Sequence, residues 1–465
     1  MSETLLKMKP AEALTIAVAI VAVMGFTMIG LGWVPHLSII LVMCGLLAYG
    51  AFKRQSFADM QEQMAKGVVS GIGAIYLFFF IGLLVSALMM SGAIPTLMYY
   101  GFDWLSPQFF YLSAFVLCSV IGVSLGSGFT TCATAGVAFM GMASAFDANP
   151  AVVAGAVVSG ALFGDKMSPL SDTTGIAASI VGIDLFEHIK NMMYTTVPAW
   201  LLTALLFWLM AGQTVQADLA ETAALQQKLL DSGLVHTYAL IPFAVLLVLA
   251  VRKVNAVYTI IATIFTAVAI TFIHSNPSMA QLGGWFFGGY KPAEGVDLGA
   301  VGKLVSRGGM ESMFFTQTIV ILALSLGGLL HGLGILPALL AGIAHLLTGV
   351  GRATATAAAT AFGINVLIGE QYLSLLLTGN TFKPLYQKLN LHPRNLARTI
   401  EDAGTVINPL VPWGVYGAFL AGILGVPVID YVPYAFFCYL SLILTLAYGF
   451  TGFTISRSDE AGKEH

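Results

Sequence analysis

Uncharged apolar stretches recur along this chain at 13–33, 36–52, 71–91, 108–125, 192–211, 254–273, 312–330 and 431–453. A bilayer's hydrocarbon core is about 30 Å thick and takes about 20 residues of helix to cross. Inside it no water can satisfy a backbone N–H or C=O, so a spanning segment must pair those groups within itself, as a helix does. Shorter runs at 129–146, 151–163, 235–251, 335–348 and 353–368 suggest broken or re-entrant segments. Hydrophobic residues make up 58% of the chain and charged residues 9%, against about 45–50% and about 25% in a soluble domain. The expected fold is an all-α polytopic membrane protein. The run 13–33 is followed at once by another and no small-residue cleavage site precedes it, so it reads as a retained span.

Several function classes are disfavoured. A net charge of -3 without a basic block argues against nucleic acid. Cys44, Cys118, Cys132 and Cys438 lie in apolar runs with no C-x-x-C spacing and read as small core residues. No histidine pair stands at the spacing of a zinc site on one helix, no Walker motif is present, and no resident cofactor is implied. An intramembrane aspartyl enzyme would want G-x-G-D, and here Leu162 stands two before Gly164. Titratable groups at a broken, repeated site suit alternating access better than an open pore.

Polarity returns abruptly in Gly164-Asp165-Lys166-Met167-Ser168-Pro169-Leu170-Ser171-Asp172-Thr173-Thr174-Gly175. The flanking residues 151–163 and 176–183 carry no charge. An ionisable group at that depth costs about 2.5–3.5 kcal/mol even on lenient insertion scales, so it reads as part of an ion or substrate pathway. Pro169 breaks the helix and frees backbone carbonyls.

The chain also matches itself at a shift of about 240 residues. Gly92-Ala93-Ile94-Pro95 falls over Gly334-Ile335-Leu336-Pro337, and Gly164 with Ser168-Pro169-Leu170 over Gly404 with Asn408-Pro409-Leu410. By the positive-inside rule, Lys7, Lys9, Lys53, Arg54 and Lys66 belong in the cytoplasm. So do Arg252, Lys253, the basic loop from Lys383 to Arg398, and the tail with Arg457 and Lys463. The acidic segment 212–234, with Asp218, Glu221 and Asp231 against Lys228, falls outside, as does the uncharged-to-acidic turn at 146–150. Lys291, Lys303 and Arg307 stand against the rule on the outer side. The expectation is a first repeat at 1–211, an extracytoplasmic connection at 212–234 and an inverted second repeat at 235–465, with both termini cytoplasmic. Transporters built this way place their sites near the midplane at the repeat interface.

Ser91-Gly92-Ala93-Ile94-Pro95-Thr96, the polar run 164–174, Gly369-Glu370-Gln371-Tyr372-Leu373-Ser374, and Arg398-Thr399-Ile400-Glu401-Asp402-Ala403-Gly404-Thr405 with Asn408-Pro409-Leu410-Val411-Pro412-Trp413 together resemble the NhaC-type sodium/proton antiporter family. The resemblance covers residues 60–450. It implies a secondary transporter of a bacterial inner membrane, built with re-entrant hairpins and broken helices, moving Na+ against H+. A homodimer would fit carriers of this kind. Where many relatives read G-T-S-W-G-T, this chain has Gly126-Ser127-Gly128-Phe129-Thr130-Thr131, and its second half carries Gly351-Arg352-Ala353-Thr354. The family includes exchangers of malate and lactate, so the alternative is coupled transport of a small organic acid or amino acid.

Sodium is a hard cation that takes oxygen ligands. Asp165, Ser168, Asp172, Thr173 and Thr174 offer them from one half, and Thr405, Asn408 and the carbonyls around Pro409 and Pro412 from the other. The expected Na+ ligands are Asp165, Asp172 and Asn408, with Lys166 pairing with an emptied carboxylate. Several positions have plainer readings. Asp172 would serve as a helix cap, and Lys166 would snorkel to an interface. Ser127, Thr130 and Thr131 form either a packing seam or a hairpin tip lining the site. Glu370, Glu401 and Asp402 are either wetted positions near segment ends or part of the pathway. Arg352, with Thr354, is either an interfacial anchor or the counter-charge of an organic anion.

Overall fold

The computed structural model describes residues 4–143, 146–211, 219–292, 302, 305–343 and 349–458. Residues 212–218 of the expected connection, with Asp218, lie outside them, as do Lys303 and Lys463. The described chain is helical apart from connecting turns and one isolated bridge between Leu391 and Arg457. Six helices are long and apolar enough to cross a bilayer: Pro10–Gly30, Pro35–Phe52, Pro107–Leu125, Leu185–Leu209, Ala256–His274 and Met310–Gly332. Bent pairs bring the possible crossings to ten, among them Pro150–Met167 with Asp172–Val181 at 46° and Pro393–Leu410 with Val415–Leu424 at 43°. Large apolar side chains such as Phe26, Ile29, Trp104 and Phe265 lie on the outer surface, where lipid is their solvent. This is an all-α polytopic membrane protein with broken helices.

Helix ends follow from local sequence. Pro150 opens a helix whose first N–H groups Asn149 caps, its Oδ1 accepting from Ala151 N at 2.9 Å. Asp184 does the same for Leu185–Leu209, accepting from Phe186 N at 2.9 Å and Glu187 N at 3.1 Å. Glycines with positive φ close others: Gly126 at 64°, Gly182 at 80°, Gly369 at 76° and Gly425 at 72°.

These ends recur in order. Gly126 and Gly369, Pro150 and Pro393, and Gly182 and Gly425 are each separated by about 243 residues. Asp147 (φ 46°) and Asn390 (φ 55°), two of the non-glycine residues in the left-handed region, share that spacing. This register is offset from the motif match at 164–170. The turn after Met167 corresponds to the turn after Leu410, so Pro169 stands over Pro412 and Asp165 over Asn408.

A glycine seam fixes where the broken helix sits. A Cβ on Gly164 would lie 2.4 Å from Gly122 Cα, and one on Gly160 would lie 2.3 Å from Phe115 O. The G-x-x-x-G spacing of 160 and 164 thus lets two backbones touch, as small residues do between membrane helices. Thr131 borders that seam, its Oγ1 lying 3.5 Å from a Cβ placed on Gly122, and Ser127, Thr130 and Thr131 have a second task. They form the turn that restarts the helix after Gly126, with Ser127 Oγ accepting from Thr130 N at 3.3 Å.

Candidate functional site

The two broken spans meet where Thr173 and Thr174, just past the first break, touch Glu401 of the second span. The first leaves the helix at Ser168 and resumes at Asp172, and Ser171 rather than Asp172 is the cap, accepting from Thr174 N at 3.4 Å. The second runs through Pro393–Ile400 into a widened π-type turn, Glu401–Thr405, where Val406 N reaches Glu401 O at 3.2 Å. Such a turn frees carbonyls inside the fold and is frequent at functional sites. Asn365 supplies the missing donor, its Nδ2 giving hydrogen bonds to Ala403 O at 3.3 Å and Gly404 O at 2.5 Å.

The turn carries two carboxylates into two different surroundings. Asp402 is wholly buried and forms an ion pair with Lys166, which is equally buried. Ser441 donates to Asp402 Oδ1 at 2.5 Å, Thr195 donates to Oδ2 at 3.0 Å, and Thr445 also donates to Oδ2. Nζ of Lys166 further donates to Ser441 Oγ at 3.0 Å. The pair is neutral and satisfied, which is how a buried ion pair avoids the cost of desolvation.

Next to it, Asp165 and Glu401 have no cationic partner. Glu401 Oε1 accepts from Thr173 Oγ1 at 3.3 Å and Thr174 Oγ1 at 3.5 Å, while its Oε2 has no protein partner. Asp165 lies within electrostatic range of both Glu401 and Asp172. Asp165 Oδ1, Thr405 Oγ1 and Tyr416 Oη are also buried and unpartnered. Orphaned buried oxygens are rare because each costs desolvation without return. Two of these oxygens belong to carboxylates, and oxygen is the donor atom a small hard cation takes.

The Gly126–Thr131 tip lies at this site. Phe129 stacks on Tyr416 with ring centroids 4.0 Å apart, and a Cβ on Gly128 would fall 1.9 Å from Tyr416 Oη. From the other half, the tip after Gly369 sends Tyr372 Oη to donate to Asp172 Oδ2 at 2.5 Å. Asp172 is exposed and stands at the rim rather than in the buried cluster. Ser168 Oγ accepts from Leu170 N at 3.2 Å and holds the break in shape.

Some expected roles do not survive this geometry. Asn408 donates to Asn365 Oδ1 at 2.9 Å and Gly369 O at 3.2 Å and accepts from Tyr416 N at 3.0 Å, so its carboxamide braces the second break instead of offering oxygen to a cation. Asp402 is enclosed by protein donors. Glu370 caps its helix, accepting from Leu373 N at 2.6 Å. Glu370, Glu401 and Asp402 are all buried, not wetted, and Lys166 does not snorkel: its side chain has no exposure. Arg352 opens Val350–Ile368, about 25 Å of helix away from the Gly369 tip. Thr354 packs on Gly449 in a helix–helix seam. The sequence reading left Glu401 open between a wetted position and a pathway role, and the structure buries it against Thr173 and Thr174. Its signal was there: a Glu-Asp pair opposite an Asp-Lys pair in two segments that the repeat already related.

Comparison with known proteins matches residues 160–453 to the Na+/H+ antiporter family. The chain is 40% identical to the Na+/H+ antiporter NhaC of Alkalihalophilus pseudofirmus, over 91% of each chain. It is 39% identical to NhaC of Bacillus subtilis, over 90% of this chain and 92% of that one. The malate-2H+/Na+-lactate antiporter of Bacillus subtilis is 31% identical over 85% of each.

Proposed function

The chain belongs to the Na+/H+ antiporter family, in its NhaC-type branch, and from that premise we propose that it exchanges Na+ for H+ at the buried Asp165–Glu401 carboxylates. The observation that carries this reading is that Asp165 Oδ1, Glu401 Oε2 and Thr405 Oγ1, on the two broken spans, are each buried without a protein hydrogen-bond partner. Two anionic groups at such depth demand a countercharge. Either Na+ binds between them, with Thr173, Thr174 and Thr405 hydroxyls and carbonyls freed at the breaks completing its shell, or protons neutralise them. A carboxylate oxygen cannot do both at once, so occupancy by one ion expels the other and the two fluxes are coupled by competition. Asp172, held by Tyr372 at the rim, draws cations toward the site.

Alternating access follows from the repeat. We read the two halves as oppositely oriented, both termini as cytoplasmic and the membrane as a bacterial inner membrane, so that rocking one half against the other exposes the breaks to each side in turn. Exchange of an organic acid finds less support, because Arg352 lies at the far end of its helix from the breaks.

Proteoliposomes holding the purified chain and a pH dye test the proposal. Sodium pulses, with choline as control, are expected to move protons without any organic solute. The flux should fall by about tenfold or more in Asp165→Asn and in Glu401→Gln, as loss of a charged contact worth about 1.5–3 kcal/mol requires. Unchanged sodium-driven flux in both variants would overturn the assignment.

A further inference from the structure

The ammonium of Lys166 sits in a cage of oxygens. Its Nζ donates to Asp402 Oδ1, to Ser441 Oγ at 3.0 Å and to Thr195 Oγ1 at 3.5 Å. The hydroxyls around it give their own hydrogens to the carboxylate: Ser441 to Oδ1 at 2.5 Å, Thr195 to Oδ2 at 3.0 Å, and Thr445 to Oδ2. With those protons committed to Asp402, lone pairs of Ser441 and Thr195 are left facing Nζ. The groups come from separate parts of the fold: Lys166 from Pro150–Met167, Thr195 from Leu185–Leu209, Asp402 from Glu401–Thr405, and Ser441 and Thr445 from Phe436–Thr451. Every one of these side chains is buried.

One carboxylate and two hydroxyls converging from different helices on a single positive centre are oxygens of the kind a hard cation takes. An ammonium presents the same charge to the same lone pairs, on a stem that cannot leave. We propose that the Asp402–Ser441–Thr195 cage is a second cation site, filled permanently by the Lys166 ammonium, and that the chain without this ammonium binds a free Na+ there. The lysine is then a tethered cation. It neutralises one of the two carboxylates on the π-type turn and leaves the other, Glu401, to mobile ions. The inference rests on the cage alone and holds whether or not Asp165 and Glu401 are the exchanging pair.

Heat unfolding of purified protein in detergent, titrated with NaCl against choline chloride, reads the cage directly, because an ion that binds only the folded state raises the midpoint with its concentration. In an Asp165→Asn background the sodium-dependent rise from the Asp165–Glu401 site is expected to be lost. Adding Lys166→Met should restore a saturable rise with NaCl, and adding Asp402→Asn as well should abolish it. If Asp165→Asn alone keeps its sodium response, the exchange reading fails, and the cage is still read from the increment that Lys166→Met adds. Lys166→Met protein recovered folded in NaCl but not in choline would be the same positive result. No sodium-dependent increment, or loss of the variant in both salts while Lys166→Met/Asp402→Asn is recovered folded, would overturn the proposal.

Discussion

Asp165 and Lys166 are neighbours in sequence and meet opposite surroundings, because successive helical residues point about 100° apart. Glu401 and Asp402 diverge in the same way on the facing turn, so Lys166 finds Asp402 while Asp165 and Glu401 are left without a cation. Removing one member of a buried ion pair strands the other. Lys166→Ala or Asp402→Ala should each cost about 3–5 kcal/mol of stability in choline chloride. The double change Lys166→Met/Asp402→Leu should cost much less, because two well-packed apolar groups leave no stranded charge. Equal costs for single and double variants in unfolding experiments would show that the pair is not coupled. Arg352→Ala, by contrast, should leave sodium-driven proton flux unaltered, since its helix turn lies about 25 Å from the breaks.

At the level of elements, the site depends on how closely Pro150–Met167 lies on Pro107–Leu125. Gly164 immediately precedes Asp165, and its missing side chain is what lets the two backbones touch. Gly164→Ala pushes a methyl into backbone that cannot yield, so overpacking of about 1–3 kcal/mol is expected, together with reduced flux as Asp165 is displaced. Gly175 makes a matched control in the other half of the same broken span. A Cβ there meets nothing within 4 Å, and Gly175→Ala should stabilise its helix by about 0.5–1 kcal/mol. Thermal midpoints moving in the same direction for both variants would show that backbone contact at the seam is not what distinguishes them. The second break has no carboxylate where the first has Asp165. Asn408 stands at that position and spends its amide on Asn365, Gly369 and Tyr416, so one half supplies the charge and the other a braced joint.

Across the whole molecule, oppositely oriented halves make a simple prediction. Asp147 and Lys388 are both exposed; Asp147 lies in the turn that corresponds to the one at Asn390, and Lys388 closes the helix just before that second turn. Cys118, Cys132 and Cys438 are buried, so a Cys44→Ser chain gives a quiet background for labelling. In intact cells a membrane-impermeant maleimide should modify Asp147→Cys from outside, and Lys388→Cys only after permeabilisation. Labelling of both from one side would contradict inversion.

The membrane class and the location of the polar breaks could be read from the sequence, because both depend on local facts: an uncharged run must hydrogen-bond to itself in lipid, and charge amid such runs must have a purpose. The family was legible as well, in motifs whose order the chain preserves. Capping was less so, since Ser171 and Asp172 are equally good caps by type and only the backbone path selects between them. Burial of Glu370, Glu401 and Asp402 was hidden, because nearness to a segment end says nothing about what packs over it. The tertiary structure alone decided that Lys166 pairs with Asp402, that Glu401 is buried against Thr173 and Thr174, and that Asn408 is a brace. A buried charge takes as partner whatever distant helix crosses beside it, and those crossings are set by backbone contacts such as Gly122 on Gly164, which no local pattern of residues records.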